Sequence, residues 1–293
     1  MKYKYLLLLG LVLSAGLLSN CQSDKKGKTE QMELAEVDTS QSMQDILFVL
    51  PSPNEIIAEI FIDEMNINPE LANSHKNADK YLDTRSQAIN LGVYIADFAY
   101  LSYSEENTTE LSYLKVIKQL AEDVNMFGLV SSEKMDRITN NLSNKDSLNT
   151  ISQELYYEIS ENLESSNRLN IFTLVSSGAI IESLYLSVAT VENFEEYEDV
   201  IKKMYEQKFV FENFYEYAIM AKEDPYVKQI LDQLEILNET FKQVEEVEIE
   251  QTVEKNTDNS LNFGGGVDFI VNAESFNKFK TNIISVRNEI TEN

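Results

Sequence analysis

Four prolines in 293 residues leave very little in this chain that can interrupt a helix. They stand at Pro51, Pro53, Pro69 and Pro225. Glycine is nearly as sparse: beyond residue 28 it occurs only at Gly92, Gly128, Gly178 and the run Gly264-Gly265-Gly266. A β-rich chain of this length needs many more turn residues, because hairpins and bulges call for positive φ and for fixed corners. The expected fold is therefore all-α, with about eight to nine helices. Hydrophobic residues at 43% supply an ordinary globular core.

Helix starts and buried stripes can be read in succession. Ser52-Pro53-Asn54-Glu55 is a capping box with proline at the first helical position, and predicts a helix from Asn54 to about Met65. Asn107-Thr108-Thr109-Glu110 opens a helix with Leu111, Leu114, Ile117, Leu120, Ala121 and Val124 inward, stopping at Gly128. Leu148, Ile151, Leu155, Ile159 and Leu163 mark the next stripe. Asn193-Phe194-Glu195-Glu196 caps a long helix that carries Tyr197, Val200, Ile201, Met204, Phe211, Phe214 and Ala218 inward. Asp224-Pro225 opens another, with Val227, Ile230, Leu231, Leu234, Leu237, Phe241 and Val244. Phe276, Phe279, Ile283, Val286 and Ile290 form the last. Spacings of three and four residues belong to helices with one buried face.

Two segments are apolar nearly all round. From Ala88 to Leu101 only Asn90 and Asp97 are polar, and from Ile171 to Ala189 the one charge is Glu182. The first run is too short to span a bilayer, and Glu182 in the middle of the second is costly in lipid. Both read as central core helices wrapped by the amphipathic ones. They also resemble each other: Asp97-Phe98-Ala99-Tyr100-Leu101-Ser102 and Glu182-Ser183-Leu184-Tyr185-Leu186-Ser187 share acid-x-x-Tyr-Leu-Ser, each a short distance after a glycine. This suggests a degenerate duplication of a three-helix unit. Between about residues 245 and 272 the pattern changes. Val247, Ile249 and Val253 alternate with polar residues, so a small β-hairpin or ordered loop is expected there.

The N-terminus has a different character. A basic start, the apolar stretch Leu6 to Leu18 and the sequence Leu18-Ser19-Asn20-Cys21 have the layout of a secretory signal. Cys21 is the only cysteine, and its place resembles the lipobox of a bacterial lipoprotein, with Asn20 where a small residue is usual. The resemblance implies cleavage before Cys21 and lipidation of its thiol. An ordinary secreted chain and an uncleaved anchor are the alternatives, the latter disfavoured because the apolar stretch is shorter than the ~20 residues a span requires. The expected organisation is a signal peptide over 1–20, a lipidated, polar tether over 21–44, and a single helical domain over 45–293. Gln22 rather than Asp follows the cysteine, which favours the outer membrane over retention at the inner one, with the domain in the periplasm or on the cell surface.

The chain carries 50 acidic against 24 basic residues, a formal charge of −26, and losing the leader removes Lys2 and Lys4. Such a chain repels nucleic-acid phosphates and favours basic partners. Catalytic constellations are scarce. His75 is the only histidine, expected to be exposed near a helix start, so Ser-His, Cys-His and zinc sites are disfavoured. Gly264-Gly265-Gly266 lacks the Lys-Ser/Thr of a phosphate loop and reads as a turn. Asp258, Ser260 and Asn262 alternate as in a calcium loop, but its glycine and glutamate are misplaced. No cofactor or metal is expected. The weak catalytic candidates are Asp97 and Glu182, since buried carboxylates are rare unless paired or hydrogen-bonded. If Gly92 and Gly178 bring their helices together, the two acids can approach, raising the pKa of one. The favoured alternative is that each accepts hydrogen bonds within the core.

The order of signal, tether, Asn90-Leu91-Gly92-Val93-Tyr94-Ile95-Ala96-Asp97 and Gly178-Ala179-Ile180-Ile181-Glu182-Ser183-Leu184-Tyr185 resembles a group of uncharacterised all-helical lipoproteins of Gram-negative bacteria. That resemblance implies a location and a fold, and no activity. The expected role is a non-catalytic binding or scaffolding lipoprotein of the envelope, with a protein or small ligand as partner. The alternative is an envelope hydrolase using Asp97 and Glu182.

Overall fold

The structure, a computed structural model, describes residues 50–60, 67–104, 110–126, 131–141, 144–255 and 261–292. Cys21, the tether, the Asn107–Thr109 cap, Gly128, Asp258 and Ser260 lie outside the described residues. Nine α-helices and one hairpin are found among those described. In chain order the helices are α1 Pro53–Ile60, α2 Thr84–Leu101, α3 Glu110–Asp123, α4 Ser132–Thr139, α5 Lys145–Ser165, α6 Leu169–Thr190, α7 Glu198–Met220, α8 Pro225–Lys242 and α9 Ala273–Glu292. The strands are β1 Glu245–Lys255 and β2 Leu261–Ile270, between α8 and α9. The mainly helical fold with a small hairpin is the one the sequence predicts.

Two of the predicted caps are made as expected, at Ser52 and at Asp224. Glu55 N–H donates to Ser52 Oγ at 3.3 Å, while Ser52 N–H reaches back to Glu55 Oε2 at 2.7 Å, so two orphan groups at the start of α1 are satisfied reciprocally. Asp224 accepts from the N–H groups of Tyr226 and Val227 at the start of α8. Asn193 caps only the short 3-10 turn Phe194–Glu196, and α7 itself begins four residues later than its cap suggested, at Glu198. The helix α3 ends before Gly128. Its left-handed residue is Asn125, at φ 60°, and Met126 N–H closes back on the Ala121 carbonyl at 2.7 Å. The end of α5 repeats the arrangement with Asn167 at φ 54° and Arg168 N–H on the Leu163 carbonyl at 2.8 Å. Asparagine tolerates this conformation, so it replaces the expected glycine at both Schellman stops.

The two all-apolar segments form the centre. Almost every residue of α2 is buried, and α6 is buried from Ile171 to Leu184 without a break. By length and composition α6 would pass for a membrane span, yet 94% of its most apolar window is covered by the rest of the protein. The contact between α2 and α6 is the most extensive in the fold. The helices run in the same direction, with Asp97 beside Glu182 and Tyr100 beside Thr190. Their closest approach is at Gly92 and Gly178. A Cβ on Gly92 would overlap the Val175 carbonyl and lie 2.7 Å from Ala179 N, while one on Gly178 would overlap the Ile89 carbonyl and lie 3.1 Å from Val93 N. The relation is reciprocal, each glycine facing the residues three before and one after the other. Both α1 and α5 pack against α2 and α6.

The remaining helices bury their stripes on this pair. Leu148, Ile151, Leu155, Ile159 and Leu163 of α5, Val227, Ile230, Leu234, Leu237 and Phe241 of α8, and Phe276, Phe279, Ile283, Val286 and Ile290 of α9 are all buried. Complete burial of one such side chain contributes about 1.5–3 kcal/mol. Three buried hydroxyls along α6 are satisfied within the helix: Ser177, Ser183 and Ser187 each donate to the carbonyl four residues earlier at 2.7–2.8 Å.

The hairpin pairs Glu245 with Ile270 and Lys255 with Leu261. The glycine run is not the turn. It sits inside β2, where Glu250 and Gln251 stand against Gly265 between the pairs Ile249–Gly266 and Thr252–Gly264. Gly265 and Gly266 have φ of 119° and 132°, which the irregularity requires and a side chain would resist.

Candidate functional site

Asp97 and Glu182 come together as the close glycine crossing requires. Each lies a little more than one turn past its glycine, on parallel helices whose backbones touch, so both carboxylates enter the same core space. Both residues are completely buried. Two carboxylates cannot both ionise there without compensation. The compensation comes from α9: Arg287 Nε donates to Glu182 Oε2 at 2.9 Å, and a second guanidinium nitrogen donates to Oε1 at 3.1 Å. This is a bidentate pair, the strongest geometry open to these groups. Burial opposes the charge on Arg287, but Glu182 outweighs it and holds the guanidinium protonated. The guanidinium also lies 4.2 Å from the ring centre of Tyr185, one turn along α6 from Glu182.

Asp97 has a different environment. Burial, and then the neighbouring Glu182 charge, push its carboxyl well above the usual carboxylate range, and Arg287 only partly opposes them. Its Oδ2 accepts from Asn73 N–H at 3.2 Å, while Oδ1 receives no hydrogen bond. Oδ1, which has no hydrogen-bond partner, is the atom left to carry a proton beside Glu182. A proton on Asp97 beside the Glu182–Arg287 ion pair leaves the cluster without net charge.

Tyrosines surround this chain. Tyr81, Tyr94 and Tyr113 stack edge to face, with centroid separations of 6.4 and 5.9 Å. Burial, then nearby negative charge, raises the phenol pKa of Tyr94 and of Tyr113, so both stay neutral. Tyr94 donates to the Ser74 carbonyl at 2.9 Å, and Tyr81 to the Thr291 carbonyl at 3.1 Å. Asn90 donates to the Ile290 carbonyl at 3.2 Å. Tyr81 and Asn90 therefore cap the last turn of α9, fixing the helix that carries Arg287. His75 is half-buried rather than exposed: it opens the 3-10 turn His75–Lys80 and packs edge-on against Tyr113 at 5.9 Å.

Arg287 is the functional group that the sequence pattern does not announce by itself. The signal was present, since position 287 falls four residues after Ile283 and three before Ile290, a lone cation on the buried stripe of the last helix. Among the described residues no group of three or more His, Cys, Asp or Glu side chains is placed to hold a metal ion. Surface grooves on the described residues run elsewhere, between α8 and α9 along Asp232, Ile236 and Glu289, and between α7 and α8 along Glu212, Tyr215 and Ile219. Chemically, the sealed triad can hold a proton and clamp three helices together, and neither carboxylate presents a surface to a substrate. No family model, no curated protein and no solved structure matches this chain.

Proposed function

We infer that this protein is a non-catalytic binding or scaffolding lipoprotein of a bacterial envelope, held at the outer membrane by a lipid on Cys21. The observation that carries the non-catalytic part is the complete burial of Asp97 and Glu182 with Arg287 on Glu182. A general acid or base must reach the proton it moves, and these carboxylates are spent on one another and on a guanidinium. Anchoring follows from the signal-like leader ahead of a lone cysteine and from the resemblance to helical lipoproteins. The charge of −26 favours a basic partner and an association that slows as salt rises.

Two measurements test this reading. Palmitate labelling of cells should mark the protein, and Cys21→Ser should abolish the label and leave a precursor or a soluble form. Two or three acyl chains are needed for stable attachment, because one gives only marginal binding, and density-gradient fractionation should place the protein with the outer membrane. Affinity capture from envelopes should recover the same partner with Asp97→Asn or Glu182→Gln as with the parent, provided each variant is folded. A turnover activity abolished by either change at unaltered melting temperature would replace this reading with the hydrolase one.

A further inference from the structure

The hairpin is out of keeping with the rest of the fold. A two-stranded ribbon is marginal in water unless a third strand or a packed face supports it. The helices support it mainly through β2, where Phe269 is buried beside Tyr205 and Phe209 of α7, while β1 adds one ion pair, Glu246 with Lys208 of α7. The outer strand β1 has β2 as its one neighbour in the sheet, and every residue from Glu245 to Glu250 is exposed. Its far edge therefore offers backbone N–H and C=O groups without a strand partner among the described residues. Val247 and Ile249 are 45% and 49% exposed, and Ile270, across from Glu245, is 48% exposed on the same face. The opposite face of β1 carries Glu246, which is paired with Lys208 of α7, and Glu248, with Glu250 following at the bulge. The strand thus shows an apolar row on one side and an acidic row on the other.

We propose that the outer edge of β1 is a docking site for an extended, basic segment of a partner protein, added as a third strand with apolar side chains beside Val247 and Ile249 and Lys or Arg beside the glutamates. Main-chain hydrogen bonds supply the affinity in this mode and alternate side chains the specificity. The occupant is not a second copy of β1. Antiparallel self-pairing centred on Ile249 sets Glu248 against Glu250, and pairing centred on Glu248 sets Glu246 against Glu250; like charges directly opposite are destabilising. Acidic side chains on an edge are also the usual guard against self-association. The same charges select a cationic strand.

This site rests on the binding reading above and gives it an address. The test titrates the full chain with a synthetic peptide of alternating Lys and Val, read by calorimetry and by amide hydrogen exchange. Saturable binding with new protection at Glu245–Glu250 is expected. The N-methylated peptide keeps the charge but cannot pair as a strand, and should bind at least about tenfold more weakly. A folded Glu248→Lys/Glu250→Lys double variant should lose about tenfold in affinity for the unmethylated peptide. No saturable binding, equal binding of the N-methylated peptide, indifference to the double variant, or protection confined to other segments overturns the proposal. If envelope capture still recovers a partner in that case, the binding reading stands and the edge strand is not its site; if capture also fails, both fall.

Discussion

Gly92 and Gly178 face each other across α2 and α6 so closely that each points its vacant side-chain direction at a carbonyl of the other helix, Gly92 at Val175 and Gly178 at Ile89. A side chain at either position must push backbone, not another side chain. Alanine regains about 1 kcal/mol of helix propensity over glycine, but separating two buried helices opens the packing around them. Gly92→Ala and Gly178→Ala should each therefore be net destabilising, by about 1–3 kcal/mol, in denaturant melts. Because both relieve the same contact, the double variant should cost less than the sum. Melting curves that barely move would contradict the central pair.

Removing Glu182's charge leaves Arg287 with a neutral partner in a largely buried place. Breaking one side of a buried pair costs about 3–5 kcal/mol, so Glu182→Gln should destabilise strongly. Arg287→Met should do the same, leaving two carboxylates without their cation. Restoring charge balance in the combined Glu182→Gln/Arg287→Met variant should recover part of the loss, which an equilibrium double-mutant cycle will read out.

Asp97 binds its proton more tightly in the folded chain than in the unfolded one, because burial and Glu182 raise its pKa. Between the unfolded value, about 3.9, and the folded one, the native state holds more protons, so stability falls as pH rises. The contribution is fully present below about pH 3.9 and is lost as pH climbs toward the folded value, at up to about 1.4 kcal/mol per pH unit. Asparagine mimics the protonated form. Asp97→Asn should match the parent near pH 4 and exceed it in stability at neutral and alkaline pH. Parallel stability curves for the two proteins would show that Asp97 is ionised in the fold.

The left-handed asparagines make a smaller prediction. Asn125→Ala and Asn167→Ala should each cost about 1 kcal/mol, since a β-carbon without a local polar group is disfavoured at positive φ. The corresponding glycine variants should be neutral or stabilising. Arg168 gives the α3 stop a second role, for it donates to the Val124 and Asn125 carbonyls from the end of α5. Arg168→Ala should therefore loosen α3 as well as α5, seen as faster amide exchange near Val124.

The helices, their inward faces and the central position of α2 and α6 were legible in the sequence because each rests on local rules. A stripe such as Phe276, Phe279, Ile283, Val286 and Ile290 is buried through its own spacing, whatever it packs on. The scarcity of glycine and proline made the fold class as readable, and the alternation near Val247 made the hairpin so. The reading of Cys21 rests on sequence alone, since that residue lies outside the described ones. Where a helix stops was less legible: Asn125 does the work expected of Gly128, and Asn167 ends α5 in the same way, since backbone context decides which residue accepts positive φ. The glycine run was misread for the same reason, its positive φ serving a bulge inside a strand instead of a corner. The pairing of Glu182 with Arg287, 105 residues later, was decided by tertiary structure alone. Charge in the sequence shows that a group seeks a partner, but which partner reaches it depends on how α9 lies across α6. That packing, and not the residue pattern, decides that both carboxylates are buried and that Glu182 meets Arg287.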